Sequence, residues 1–259
     1  MRFRIRFLLG LAMLATIPSA ALAAAGHDRG DAAHLFGYYP EQGQAARFDE
    51  GYRRHLAWHR DRRDPLPWYG WYVASGDRTG MFIDGSFGAP FAAFDQRMDP
   101  AGDAADATRN VAPFAKAAFR ASYRLRREFS TGFPLERWQP TKSVQVFRYT
   151  LHPGAARRFE AVLRTVRELL MQRDGAPVHT WYELVSGGPS PGYLLMVARD
   201  DWRSYDRDGD DVETLLAAVP DARRLLDEYA ASVATVASES WSYREDLSYF
   251  PGCDRGPAG

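Results

Sequence analysis

The sequence predicts an α+β fold made of two tandem copies of one β-α-β-β-α-β module, and three observations predict it. The stretch 36–95 lies over 147–206 at an offset of 111, so that Phe36, Tyr38, Gly43, Ala45, Arg47, Phe48 and Arg53 recur as Phe147, Tyr149, Gly154, Ala156, Arg158, Phe159 and Arg164. A second block, Arg63-Asp64-x-x-Pro67-x-x-x-Trp71-Tyr72, recurs as Arg173-Asp174-x-x-Pro177-x-x-x-Trp181-Tyr182, one residue out of step, before Ser75-Gly76 and Ser186-Gly187 restore the register. Repetition over this length marks a duplicated small domain rather than a solenoid unit. Within each copy, finally, the apolar pattern switches between strand and helix periods in the same order.

The second copy carries the clearer signals. Residues 144–151 are β-branched and aromatic, a strand turned by His152-Pro153-Gly154. From 155 to 173, Phe159, Val162, Leu163, Val166, Leu169 and Leu170 recur at helical spacing and give one apolar face. Residues 178–185 and 193–198 read as a hairpin around the Gly- and Pro-rich turn 186–191. Residues 201–205 and 212–237 read as helical, with Pro220 suited to a first helical position, and 239–244 alternates as a closing strand. In the first copy, 35–39, 44–62, 68–74 and 81–87 are the matching strand, helix, strand and strand. Residues 112–129 are expected as its second helix, with the closing strand between 130 and 138. The polar, Pro- and Gly-containing stretch 99–106 is expected as a solvated loop. The modules are bounded at 34–140 and 141–250, with Thr141 to Ser143 as the boundary.

This element order is the ferredoxin-like unit, one antiparallel sheet with helices on one face. The bare face of each sheet needs a partner, and two linked copies can supply it to each other. At this point the chain resembles the dimeric α/β-barrel superfamily, which includes antibiotic-biosynthesis monooxygenases and NIPSNAP-type proteins. The resemblance is clearest at Tyr149-Thr150-Leu151-His152-Pro153-Gly154 followed by Phe159. It implies a pseudo-dimeric barrel and allows cofactor-independent oxygenation. Related chlorite-dismutase and dye-peroxidase folds place haem between sheet and helices.

At the N-terminus, residues 1–23 carry Arg2, Arg4 and Arg6, an apolar run over 7–17 and Ala21-Leu22-Ala23, the order of a secretory signal peptide. The chain is therefore expected to be exported, periplasmic or secreted, with 24–33 as a frayed N-terminus and 251–259 as a tail. The whole sequence balances 33 basic against 33 acidic residues, and loss of three leader arginines leaves it slightly acidic, which gives no support for nucleic-acid binding. The single cysteine, Cys253, excludes an intrachain disulfide. No Walker loop, dinucleotide fingerprint, His-Glu-x-x-His or paired-cysteine motif is present.

Two constellations could carry chemistry. If Val178, Tyr182 and Leu184 face the helices, then His179, Trp181 and Glu183 face the space between the sheets, joined by Tyr69 and Trp71 from the first copy and by Arg148. Tyr69, Trp71, Arg148, His179, Trp181 and Glu183 would line a pocket for a small, partly apolar ligand, with His179 and Glu183 as catalytic candidates. Alternatively the aromatic residues fill the barrel and the protein is structural. The second constellation is His55 and His59, one helical turn apart, standing where the second copy has the core residues Val166 and Leu170. Such a pair can share a metal or ligate haem, although the sequence shows no third ligand. The run Asp206-Arg207-Asp208-Gly209-Asp210-Asp211 departs from a calcium loop in its glycine and closing position, and reads as a turn in which Asp210 or Asp211 caps the next helix.

Overall fold

The computed structural model describes residues 30–206 and 211–252; the stretch 1–23 expected as a signal peptide, residues 24–29, residues 207–210 and residues 253–259 with Cys253 lie outside the described residues. Four strands come from each half of the chain. The first half contributes β1 (Ala32–Pro40), β2 (Tyr69–Ser75), β3 (Phe82–Ala89) and β4 (Ala115–Leu125). The second contributes β5 (Ser143–Leu151), β6 (His179–Ser186), β7 (Gly192–Arg199) and β8 (Val233–Tyr243). Together they close into one antiparallel barrel in the order β1-β3-β2-β8-β5-β7-β6-β4. Pairing of β2 with β8 and of β4 with β6 joins the two half-sheets. The helices α1 (Ala45–Asp61), α2 (Pro100–Asn110), α3 (Ala156–Met171), α4 (Val212–Ala217) and α5 (Ala222–Ala230) cover the outside. Among the described residues no helix is long and apolar enough to cross a membrane.

Three apolar clusters follow from this layering. Leu35, Tyr69, Trp71, Ile83 and Phe87 meet Val144, Val146, Tyr182, Leu194, Met196 and Trp241 inside the barrel. Tyr149, Phe159, Leu163, Val166, Leu170, Trp181 and Leu195 pack between the second half-sheet and α3, where α4 and α5 add Leu215, Leu216, Leu225 and Tyr229. A smaller cluster under α1 contains Phe48, Tyr52, Leu56, Trp68 and Phe82. An eight-stranded barrel is just wide enough for side chains to fill, and the stacked Tyr69 and Trp71 rings, 5.4 Å apart, with Trp241 at 5.9 Å from Trp71, occupy this one.

Four expected elements differ. Residues 115–125 form β4 rather than a helix, because pairing with both β1 and β6 closes the sheet and overrides the helix propensity of an alanine-rich segment. The stretch expected as the closing strand holds only a single helical turn, Leu135–Arg137. The stretch expected as a solvated loop is α2, started by Pro100 at its first turn and by Asp99, whose carboxylate accepts from the Gly102 amide at 2.9 Å. The single helix expected over 212–237 is two, α4 and α5, ending at Ala230, and the closing strand expected over 239–244 begins earlier, at Val233. Asp211 caps α4 as expected, accepting from the Thr214 amide at 2.9 Å.

Candidate metal centre

His55 and His59 sit four residues apart on the buried face of α1, pointed toward the underside of α2. The two helices approach closely at Gly51, where an added Cβ would lie 1.9 Å from the Asn110 carbonyl oxygen. That contact lets the short carboxylates of α2 reach the imidazoles. Asp103 and Asp106, three residues apart and so on one face of α2, both do so. His55 Nδ1 lies 2.8 Å from Asp106 Oδ2, and Asn110 Nδ2 donates to the other oxygen of Asp106 at 3.0 Å.

The second imidazole is held from the end of its own helix. Arg63 takes a left-handed conformation, φ 55°, and the amides of Arg63 and Asp64 bond back to Arg60 and His59 carbonyls, each at 3.0 Å. This is the hydrogen-bond pattern of a Schellman stop, which reverses the chain immediately after the helix. The reversal places Asp64 Oδ2 2.7 Å from His59 Nδ1. The Asp64 carboxylate is fixed in turn by Trp68 Nε1 and the Leu66 amide, both at 3.0 Å, and its backbone carbonyl accepts from the Tyr249 hydroxyl at 2.8 Å.

A proton on each Nδ1, where a carboxylate can accept it, would leave the Nε2 lone pair of each imidazole facing the opposite side. The two Nε2 atoms meet at 3.3 Å, and Asp103 Oδ1 stands 3.4 Å from that of His55 and 3.5 Å from that of His59. Asp103 Oδ1 is buried without a hydrogen-bond partner, while its other oxygen pairs with Arg97. Two imidazole nitrogens and one carboxylate oxygen thus converge. Their triangle is nearly equilateral, and edges of about 3.3 Å are what three corners of a tetrahedron about an ion at roughly 2.0–2.1 Å would show.

The surroundings tune the charges. Burial lowers the His55 pKa, and the neighbouring His59 lowers it further, against the pull of Asp106 and Asp103, so the imidazole resists a second proton. Burial would raise Asp64, but the hydrogen bonds from His59, Trp68 and Leu66 outweigh it and hold the carboxyl below its usual range. On β3 beneath α1, burial pushes Asp84 up to about 7 despite a 2.8 Å hydrogen bond from Tyr52.

The residues expected to form an inter-sheet pocket do not come together. Tyr69 and Trp71 lie inside the barrel, but Trp181 lies outside it, against Phe159 and Tyr149 under α3. His179, of the same strand parity as Trp181, is fully buried on that outer side, and Tyr182 takes the interior place. Pairing explains the inversion. Tyr72 faces Phe82 across β2 and β3, and the pair 111 positions later is Glu183 with Tyr193, so Trp71 is equivalent to Tyr182 and not to Trp181. A one-residue slip in a strand turns each side chain to the other face. Glu183 binds Arg126 at 2.6 Å beside Glu160 of α3, and Arg148, on the interior parity as expected, pairs with Glu239 at 3.1 Å instead. His179 and Glu183 therefore form no acid-base pair in a barrel cavity. Gly188-Pro189-Ser190-Pro191-Gly192 matches the spacing of a hydrolase nucleophile elbow, but it is the turn between β6 and β7 rather than a strand-to-helix turn.

No protein-family model matches the sequence, and no curated protein matches it. Solved structures do match in fold. One described as a monooxygenase from Lactobacillus acidophilus NCFM superposes with a TM-score of 0.55 at 9% identity, over 86% of this chain and 97% of its own. An anthrone oxidase-like protein gives 0.56 at 8% identity, over 88% and 97%. A mutant chlorite dismutase from Candidatus Nitrospira defluvii, solved in complex with cyanide, gives 0.51 at 6% identity, over 85% and 93%. This chain has the dimeric α/β-barrel fold. The α/β-barrel resemblance also raised haem, which would need an imidazole Nε2 facing an open slot between helix and sheet. Here each Nε2 faces the other across 3.3 Å with a carboxylate against both, so the histidines do not fit a porphyrin and suit a single ion.

Proposed function

We propose that this protein is an exported metal-binding protein whose centre takes one divalent transition metal, zinc in class, on His55, His59 and Asp103. The observation that carries the reading is the convergence of His55 Nε2, His59 Nε2 and Asp103 Oδ1 as a nearly equilateral set of possible ligand atoms. Asp106 and Asp64 serve as the outer carboxylates that metal-bound histidines commonly engage. Three protein ligands leave a fourth tetrahedral position for water or an exchangeable ligand, the pattern of working rather than purely structural zinc sites. Bound there, the metal would fasten α1 to α2 and neutralise a carboxylate-rich contact.

The test is a zinc titration of chelator-stripped protein against a competing indicator, with cobalt substitution to read coordination number. One equivalent of zinc and an intense four-coordinate cobalt spectrum are expected. Asp103→Asn should weaken binding by more than about a hundredfold, as loss of a ligand must exceed the effect of losing an outer partner. Full affinity in the double variant His55→Ala/His59→Ala would end the proposal. A second reading is favoured by the donor set itself. Two histidines and one carboxylate also hold ferrous iron with open positions in oxygenases, and oxygen uptake by iron-loaded protein is the check.

A further inference from the structure

A second concave site opens beside the metal centre and shares none of its ligands. It is a cleft of about 390 Å³ at the end of the barrel, walled by Trp138, Tyr243 and Phe250, with Arg60 and Glu245 at its edge. That volume falls within the range of small-molecule sites. The aromatic walls are backed by the packed interior. Phe250 meets Tyr69 edge-on at 5.0 Å, Tyr243 leans on Trp71 at 6.2 Å, and the Trp138 ring lies 5.9 Å from that of Phe250, tilted by 32°. Two flat rings at a shallow angle, braced from behind, present π-faces at little entropic cost to an incoming ring.

Trp138 is also held at φ 57°, a left-handed conformation that a bulky residue seldom adopts and that concentrates at ligand sites. The charges at the edge are exposed and available: among the described residues neither Arg60 nor Glu245 forms an ion pair. Arg60 offers a planar fork that suits a carboxylate. Glu245 can accept a hydrogen bond from a donor on the same molecule.

We propose that this cleft binds a planar aromatic carboxylate carrying one hydrogen-bond donor, its ring against Trp138 and Phe250 and its carboxylate on Arg60. This site replaces the inter-sheet pocket that the sequence suggested, and it stands whether or not the metal reading does.

Indole-3-acetate is the probe, since it supplies ring, N–H donor and carboxylate together. Indole lacks the carboxylate, and cyclohexylacetate lacks the π-face. Calorimetric titration of the whole mature chain should give one saturable site for indole-3-acetate, at least tenfold tighter than for either control. Arg60→Gln, an exposed change that leaves the fold intact, should erase the advantage of indole-3-acetate over indole. Phe250→Ala should weaken indole-3-acetate and indole together, with an unchanged circular dichroism spectrum as the folding control. Absence of saturable binding at millimolar indole-3-acetate, or an advantage over indole that survives Arg60→Gln, would overturn the proposal.

Discussion

The two helix layers of this barrel occupy equivalent positions and use opposite chemistry. Under α3, Val162, Leu163, Val166, Leu170 and Leu195 make a wholly apolar contact. The residues 111 positions earlier, at the same places under α1, are Gly51, Tyr52, His55, His59 and Asp84. The pairs Phe36 and Phe147, Tyr38 and Tyr149, and Phe48 and Phe159 are alike in both. The difference lies in what covers each face. The second half lays α4 and α5 over α3 with leucines and Tyr229, whereas the first half lays down α2, which buries no apolar side chain and brings Asp103 and Asp106. The buried imidazoles of α1 are matched by carboxylates from α2 and from the turn after α1, because an unpaired buried polar group costs several kcal/mol. A duplicated fold has thus kept one copy as an apolar core and turned the other into a donor cage.

Transplanting the histidines should break this contrast most severely. The double substitution Val166→His/Leu170→His puts two imidazoles where no carboxylate faces them, and should destabilise the protein by about 4 kcal/mol or more in urea unfolding, without creating zinc affinity. A loss under about 1 kcal/mol would show that carboxylates are not what permits the first cage.

Asp84 gives the next largest effect. Its folded pKa of about 7 lies above the unfolded value of 3.8, so the folded state holds the proton more tightly. The associated stability is complete below pH 4 and is lost as pH rises through 7. The shift corresponds to on the order of 4 kcal/mol as an upper bound. In metal-free protein the stability difference between wild type and Asp84→Asn should therefore move against wild type from pH 4 to pH 8. A pH-independent difference would mean that Asp84 stays ionised when buried.

How far the sequence revealed this centre follows from the same contrast. The duplication, the barrel and the placement of His55 and His59 opposite Val166 and Leu170 were legible because they rest on residue identity at a fixed offset. The third ligand was not, because Asp103 sits on a helix without an apolar stripe. Periodicity detects only helices that bury apolar residues, and α2 docks through carboxylates instead. Its N-terminal signals, Asp99 followed by Pro100, were available as a cap and a first-turn proline. The Trp-Tyr block misled for a geometric reason. It repeats at an offset of 110 while the strands pair at 111, and in a strand that single step exchanges inside for outside, sending Trp71 into the barrel and Trp181 under α3.

Gly51 sharpens the comparison at one atom. Its counterpart Val162 is fully buried beneath no such close approach, so the valine fits there while even a methyl at Gly51 would strike Asn110. Gly51→Ala should push α2 outward, costing about 2 kcal/mol of stability, and should lower zinc affinity by separating Asp103 from the imidazoles. Val162→Gly in the other copy should be destabilising through cavity formation and backbone freedom, with zinc binding untouched. Equal effects on zinc from both variants would show that the helix spacing is not specific to the cage.

The smallest change separates holding a metal from orienting its ligand. Asp64 has no place among the converging donors; it fixes the His59 tautomer from behind, itself pinned by Trp68 and Leu66. Asp64→Asn keeps the size and the capacity to accept from Trp68, but offers His59 Nδ1 no full charge. Zinc affinity should fall by about tenfold to a hundredfold, while the stoichiometry and the four-coordinate cobalt spectrum persist. Asp103→Asn should alter that spectrum, because it removes a ligand rather than its support. If Asp64→Asn also changed the cobalt coordination, Asp64 would have to move into the inner set, and the triangle of His55, His59 and Asp103 would no longer describe the centre.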